Sequence, residues 1–127
     1  MLEKPKEIIV GQDRYILESE IKKQIKESEE GLRFVIIRTY AAGVHMGFLK
    51  SKEYTVAGTI VTLVNSRRIY KWAGAMTLSQ LAMEGSKKIN ECQITMAVTF
   101  NELNAIEIIG VTDFAFENLN SATIWKI

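Results

Sequence analysis

One cysteine, one proline and one histidine stand among 127 residues, and no apolar run reaches the roughly 18 residues that read as a bilayer-spanning helix. The lone Cys92 excludes an internal disulfide and has no histidine or second cysteine at metal-ligand spacing, which makes a reducing cytoplasm the expected setting and a metal cofactor unexpected. Charge of one sign is also missing. Sixteen basic against fifteen acidic residues leave a formal net charge of +1, so nothing global draws the chain to long nucleic acid, and any anion site must be local. Residues 1 to 30 carry too many charges for a secretory signal. No glycine-rich phosphate fingerprint, internal repeat or low-complexity stretch is present.

What is present is a foldable soluble composition, 47% hydrophobic and 24% charged, long enough for one domain with its own core. The pattern divides at about residue 31. Residues 1–31 read as an extension: a small hairpin from the apolar patches Ile8 to Val10 and Tyr15 to Leu17, then a thinly amphipathic helix over Ser19 to Glu30, ended by Gly31. Residues 32–127 read as an α+β domain. Arg33 to Arg38 and Val44 to Leu49 form a hairpin across Ala41-Ala42-Gly43, a polar insert covers Lys50 to Tyr54, and Thr55 to Val64 and Arg67 to Trp72 are strands separated by a turn at Asn65-Ser66. Thr77 caps a helix from Leu78, with Leu78, Leu81 and Ala82 on its apolar face and Gly85 closing it. Gln93 to Phe100 and Leu103 to Val111 read as further strands, and Thr112 or Asp113 opens a last helix through Asn118. The sum is a small antiparallel sheet of five or more strands with short helices.

The residues that carry chemistry gather between Phe34 and Gly85. Arg67 and Arg68 are adjacent in an extended segment, so only one of them faces a given pocket. Arginine offers a planar fork of donors suited to phosphate, although solvated surface arginines are the plain alternative. Arg38 ends the apolar run beside the first small-residue break and reads either as an anion contact or as a strand-end charge. Ala41-Ala42-Gly43 and Ala73-Gly74-Ala75 are loops that let a ligand approach the backbone, the second just before the helix capped by Thr77, and both are equally served by tight turns. Trp72, Tyr70, Phe48 and Tyr40 are able to stack on a base or to pack in a core. His45 lacks the partners of a catalytic triad and counts as a hydrogen-bonding group near the break. Carboxylates cluster in the extension, Ser79 has no nucleophile-elbow context, and Cys92 has no activating histidine nearby in sequence. The chain reads as a binder rather than an enzyme.

The strings VIIRTYAAGVHMG and NSRRIYKWAGAMTLSQLAMEG, with the later AIEIIGVT and TIWKI, resemble a family of phage and prophage proteins of this length, identified as the Thoeris anti-defence sponges. The resemblance covers roughly Phe34 to Ile127. It implies a homo-oligomer in the bacterial host cytoplasm that sequesters a small-molecule signal, a cyclic ADP-ribose isomer made by TIR-domain enzymes, in pockets between subunits and without cleaving it. Some members of that family also hold cyclic oligonucleotides at a separate site. Within the matching motifs the expected ligand contacts are Arg38, His45, Asn65, Arg67, Arg68 and Trp72, with Ala42, Gly43 and Thr77 as backbone contacts. Neither a membrane nor a long nucleic acid is an expected partner. The insert around Lys50 to Gly58 is longer than that family's hairpin and alters the pocket rim. The competing reading is a structural or interaction module of a phage particle or host-takeover complex, working through apolar surface such as Phe114, Phe116 and Trp125.

Overall fold

The computed structural model describes residues 24–127, so the hairpin expected over Ile8 to Leu17 and the start of the Ser19 to Glu30 helix lie outside the described residues. The described end of that helix is not helical. Ile25 bridges Thr112 and Glu27 bridges Arg33 in extended pairings, and the amide of Ser28 bonds the carbonyl of Leu32 at 2.8 Å. Long-range pairing to the domain overrides the weak helical stripe, because a thin apolar face contributes little until it docks.

The elements run β1 (Phe34–Thr39), β2 (Val44–Thr55), β3 (Gly58–Lys71), α1 (Leu78–Glu84), a 3-10 turn (Ile89–Glu91), β4 (Gln93–Ile94), β5 (Val98–Gly110) and α2 (Asp113–Asn120). The order β2-β1-β5-β3-β4 is antiparallel throughout, and β2 also pairs with β3. That extra pairing closes β1, β2, β3 and β5 into a ring. Closure leaves each of these strands with two neighbours over part of its length and so removes sheet edge.

The ring explains why β1 is a continuous apolar run. Val35 and Ile37 point into its interior with Val61, Leu63, Leu103 and Ala105, while Phe34 and Ile36 point outward to a second core with Met46, Ile69, Leu81, Ala115 and Leu119. A strand covered on both faces has no polar side to show. Helix α1 starts at Thr77, whose hydroxyl accepts from the amide of Gln80 at 3.1 Å, and buries Leu81 and Ala82. Helix α2 starts at the fully buried Thr112, whose hydroxyl accepts from Ala115 and donates to the carbonyl of Met83 at 2.9 Å. One threonine thus caps α2 and ties it to α1. Phe116 packs edge-on against Phe34 with ring centres 4.7 Å apart.

Three expected boundaries differ. Val44–Thr55 is one strand, joined through Val56-Ala57 to Gly58, so the polar Lys50 to Tyr54 stretch is a strand rather than an insert between strands. Asn65-Ser66 is not a turn but a bulge inside the single long strand Gly58–Lys71: pairing passes from Met46 with Arg67 to Phe48 with Val64, and Asn65 sits at φ 54. Asparagine tolerates the left-handed region better than most residues, which suits it equally to a turn or a bulge. Likewise Gln93 to Phe100 holds only the short β4 and the start of β5, and β5 runs unbroken across the expected gap.

Candidate functional site

Arg67 and Arg68 point to opposite sides of β3, as alternation requires. Arg67 is 7% exposed. Its Nε donates to the carbonyl of Thr95 at 2.6 Å, Nη1 to Asn120 at 3.4 Å, and Nη2 to Ala122 at 3.1 Å and Ile94 at 3.4 Å. These four carbonyls make Arg67 a structural clamp rather than a ligand contact. Burial pushes its guanidinium below the usual arginine value, and the bonds to carbonyls at the end of α2, where the helix dipole is negative, favour the charge that burial disfavours.

Arg68 is exposed. Its backbone is fixed by Thr95, whose hydroxyl accepts from the Arg68 amide and whose own amide donates to the Arg68 carbonyl, both at 3.0 Å. Among the described residues no carboxylate pairs with its guanidinium. It stands between two concavities. A cleft of about 570 Å³ is lined by Ala41, Ala42, Gly43, Val44, Arg68, Ile69, Tyr70 and Trp72. A smaller hollow of about 300 Å³ on its other flank is lined by His45, Ser66, Thr95, Met96, Val98 and Asn101 as well as Arg68. The larger one lies within the size of small-molecule sites.

The register builds the larger cleft. Val44 lies opposite Ile69 and His45 opposite Arg68, so the loop after β1 hangs over the Arg68 to Lys71 end of β3, with Trp72 just beyond it. Gly43 takes φ +85 with open space where a side chain would stand, and this small-residue loop is exposed. The Thr39 hydroxyl accepts from the amide of Ala42 at 2.8 Å and donates to the carbonyl of Gly43 at 2.7 Å. The Ala42 amide is therefore already engaged, and what this residue offers a ligand is a rigid, uncrowded wall.

His45 is buried with both ring nitrogens occupied: Nε2 lies 2.9 Å from the carbonyl of Ala42, and Nδ1 lies 3.4 Å from the Asn101 amide nitrogen. A carbonyl can only accept, so Nε2 carries the proton and Nδ1 accepts from Asn101. Burial holds His45 below its ordinary value, with the charge of Arg68 adding to the effect and the Ala42 carbonyl opposing it. The neutral ring supports the loop from beneath.

The other expected contacts lie elsewhere. Arg38 Nε donates to Glu107 Oε1 at 2.8 Å on the surface, across the β1–β5 pairing. Asn65 shapes the bulge. Thr77 uses its hydroxyl on its own helix, and Gln80 returns to the amide of Met76 at 2.8 Å, so this helix start is satisfied internally. The Ala73-Gly74-Ala75 loop is filled from behind, with Ser86 Oγ donating to the carbonyl of Ala73 and the amide of Lys87 to that of Gly74. Of the aromatics, Phe48 packs with Phe34 and Phe116, and Tyr40 stands in solvent. Phe116 likewise packs against the core rather than forming apolar surface. Asn101 and Thr95 escaped sequence reading because only the β3 pairings bring them to His45 and Arg68.

A small antiparallel ring of strands with an arginine-centred cleft on one flank is the class of protein these features define. The chain belongs to the family described as Domain of unknown function (DUF6948), whose model matches residues 32–119. No curated protein and no solved structure matches it. Among the described residues no helix is long and apolar enough to cross a membrane.

Proposed function

We infer that this protein is a non-enzymatic binder that sequesters a small phosphorylated nucleotide signal of the cyclic ADP-ribose type, as a phage or prophage counter to a bacterial immune signal. The observation that carries this reading is the convergence of Ala42, Gly43, Arg68 and Trp72, expected as contacts from two separate sequence motifs, on one cleft of about 570 Å³. An unpaired guanidinium, an indole and an uncrowded loop suit a phosphate next to a planar ring. Arg68 supplies an anion contact that cannot be switched off by deprotonation.

Sequestration at nanomolar affinity corresponds to about 12 kcal/mol, more than one guanidinium on an open cleft supplies. The reading therefore includes a second copy of the chain that completes the cleft. The deciding experiment is native mass spectrometry with cyclic ADP-ribose. The expected result is a mass increment on an oligomer, recovered chemically unchanged on denaturation and lost in Arg68→Ala. An absent increment rejects the sponge and favours an interaction module, to which the exposed Phe100 and Ile106 on β5 are suited. Recovery of altered nucleotide would make the protein an enzyme.

A further inference from the structure

Arg68, Tyr70 and Trp72 all line the larger cleft, and Ile69, between the first two, is buried. Side chains two positions apart on a strand stand about 6.6 Å apart, so one ligand can meet the guanidinium and a neighbouring ring together. Tyr70 is backed by a second ring. Its phenol lies nearly parallel to the indole of Trp125, with centroids 4.9 Å apart and planes 18° from coplanar. Trp125 is not among the residues lining the cleft, so it supports Tyr70 from outside.

The support is itself anchored. The Trp125 amide donates to the carbonyl of Ile94 at 2.9 Å, Ile124 bridges Ile94, and Arg67 holds the same segment at the Ala122 carbonyl. Yet Tyr70 is 63% exposed and Trp125 45%. A ring pair this open contributes little as core, but it presents a flat face whose tilt is fixed, and a fixed face stacks with little entropy left to lose.

We propose that the Tyr70–Trp125 stack is a nucleobase platform, on which a planar heteroaromatic ring lies while Arg68 takes the phosphate. This rests on the cleft reading above and adds the ligand's chemical class. Tyr70 contacts the base, and Trp125, which only the C-terminal segment brings here, is a positioning residue acting through Tyr70. Arg67 is thereby linked to the site without touching the ligand, since it clamps the segment that carries Trp125.

The test compares AMP with ribose 5-phosphate, which differ by the base alone, in titration calorimetry on the full chain. Wild type is expected to prefer AMP by about 5-fold to 100-fold, the range that stacking on one ring supplies. Tyr70→Ala removes that preference, Trp125→Ala reduces it with ribose 5-phosphate binding unchanged, and Trp125→Phe restores most of it. In Trp72→Phe, where Trp125 is the remaining tryptophan, AMP changes the fluorescence and ribose 5-phosphate does not. A wild type that retains cyclic ADP-ribose but binds AMP and ribose 5-phosphate equally keeps the cleft reading and overturns the platform. Equal loss of both ligands in Trp125→Ala and Trp125→Phe also overturns it. A wild type that retains neither cyclic ADP-ribose nor AMP overturns both proposals.

Discussion

Arg67 Nη2 donates to the carbonyl of Ala122 at 3.1 Å, joining the buried face of β3 to the segment that follows α2 across 55 positions of sequence. With its three other carbonyl bonds this places one charged side chain where the bulge, β4 and the C-terminal segment meet. The arrangement makes Arg67 a stability residue and leaves Arg68, its neighbour, exposed on the proposed cleft.

Replacing Arg67 by methionine keeps much of the volume but strands buried carbonyls. The expected cost is about 3 kcal/mol or more, since bonds to charged groups are each worth about 1.5–3 kcal/mol. For a domain of this size that lowers Tm by roughly 10 °C or more. Thermal unfolding followed by circular dichroism checks it, and a Tm within 3 °C of wild type, on the order of experimental scatter, contradicts the clamp. Arg68→Ala, by contrast, is expected to leave Tm nearly unchanged.

His45 gives stability a dependence on mildly acidic pH. Its native value is depressed, so between that value and about 6.5 the unfolded chain binds more protons than the native one. The contribution is whole above about 6.5 and is lost as pH falls through that value toward the depressed native one, with a slope of at most about 1.4 kcal/mol per pH unit. Urea midpoints at pH 7.5, 6.5 and 5.5, chosen at roughly equal steps around the ordinary histidine value, should fall in wild type. His45→Gln, which retains a donor for the Ala42 carbonyl, should flatten the trend. Parallel slopes in the two proteins would remove His45 as the cause.

Arg38 and Glu107 are 48% and 41% exposed, so their ion pair is solvent-screened. Arg38→Ala should cost about 1 kcal/mol or less. Because Arg38 lies outside the Arg68 cleft, the variant should match wild type in the proposed binding of cyclic ADP-ribose. Strong loss of binding there would extend the site to the far side of β1.

Asn65 separates conformation from contact. Asn65→Gly preserves the positive φ of the bulge and should be within about 1 kcal/mol of wild type. Asn65→Val puts a β-branched residue where it is strained and should cost roughly 1–2 kcal/mol. Ligand affinity should follow neither change; affinity lost in the stable glycine variant would instead make the Asn65 amide a ligand contact.

Much of the local structure was legible because its causes are local. Thr77 with Gly85, and Thr112 ahead of Asp113, mark helix ends through bonds that span one turn. The division of Arg67 from Arg68 follows from strand alternation alone. The Ala41-Ala42-Gly43 break announced an uncrowded loop, and the structure places it on the cleft. What alternation could not say is which arginine goes inward. That depends on the carbonyls of Ile94, Thr95, Asn120 and Ala122, which lie far along the chain and converge only after β4 and α2 have packed.

The same limit accounts for the remaining differences. Asn65-Ser66 has one local preference, positive φ, that serves a turn or a bulge, and the pairing of β3 with both β2 and β5 makes it a bulge. Residues 24–28 carry a helical pattern, yet Val111 and Thr112, far along the chain, and Arg33 nearby supply partners that draw them out straight. Two glycine-containing loops look alike in sequence, but Ser86 and Lys87 fill the space behind Gly74 while nothing lies where a Gly43 side chain would be. By itself the sequence determined most of the strands and the two helices that follow Thr77 and Thr112, because period and capping act over a few residues. Closure of the ring, burial of Arg67 and the stacking of Trp125 behind Tyr70 were decided by tertiary structure, because each requires groups far apart in the chain to satisfy one another.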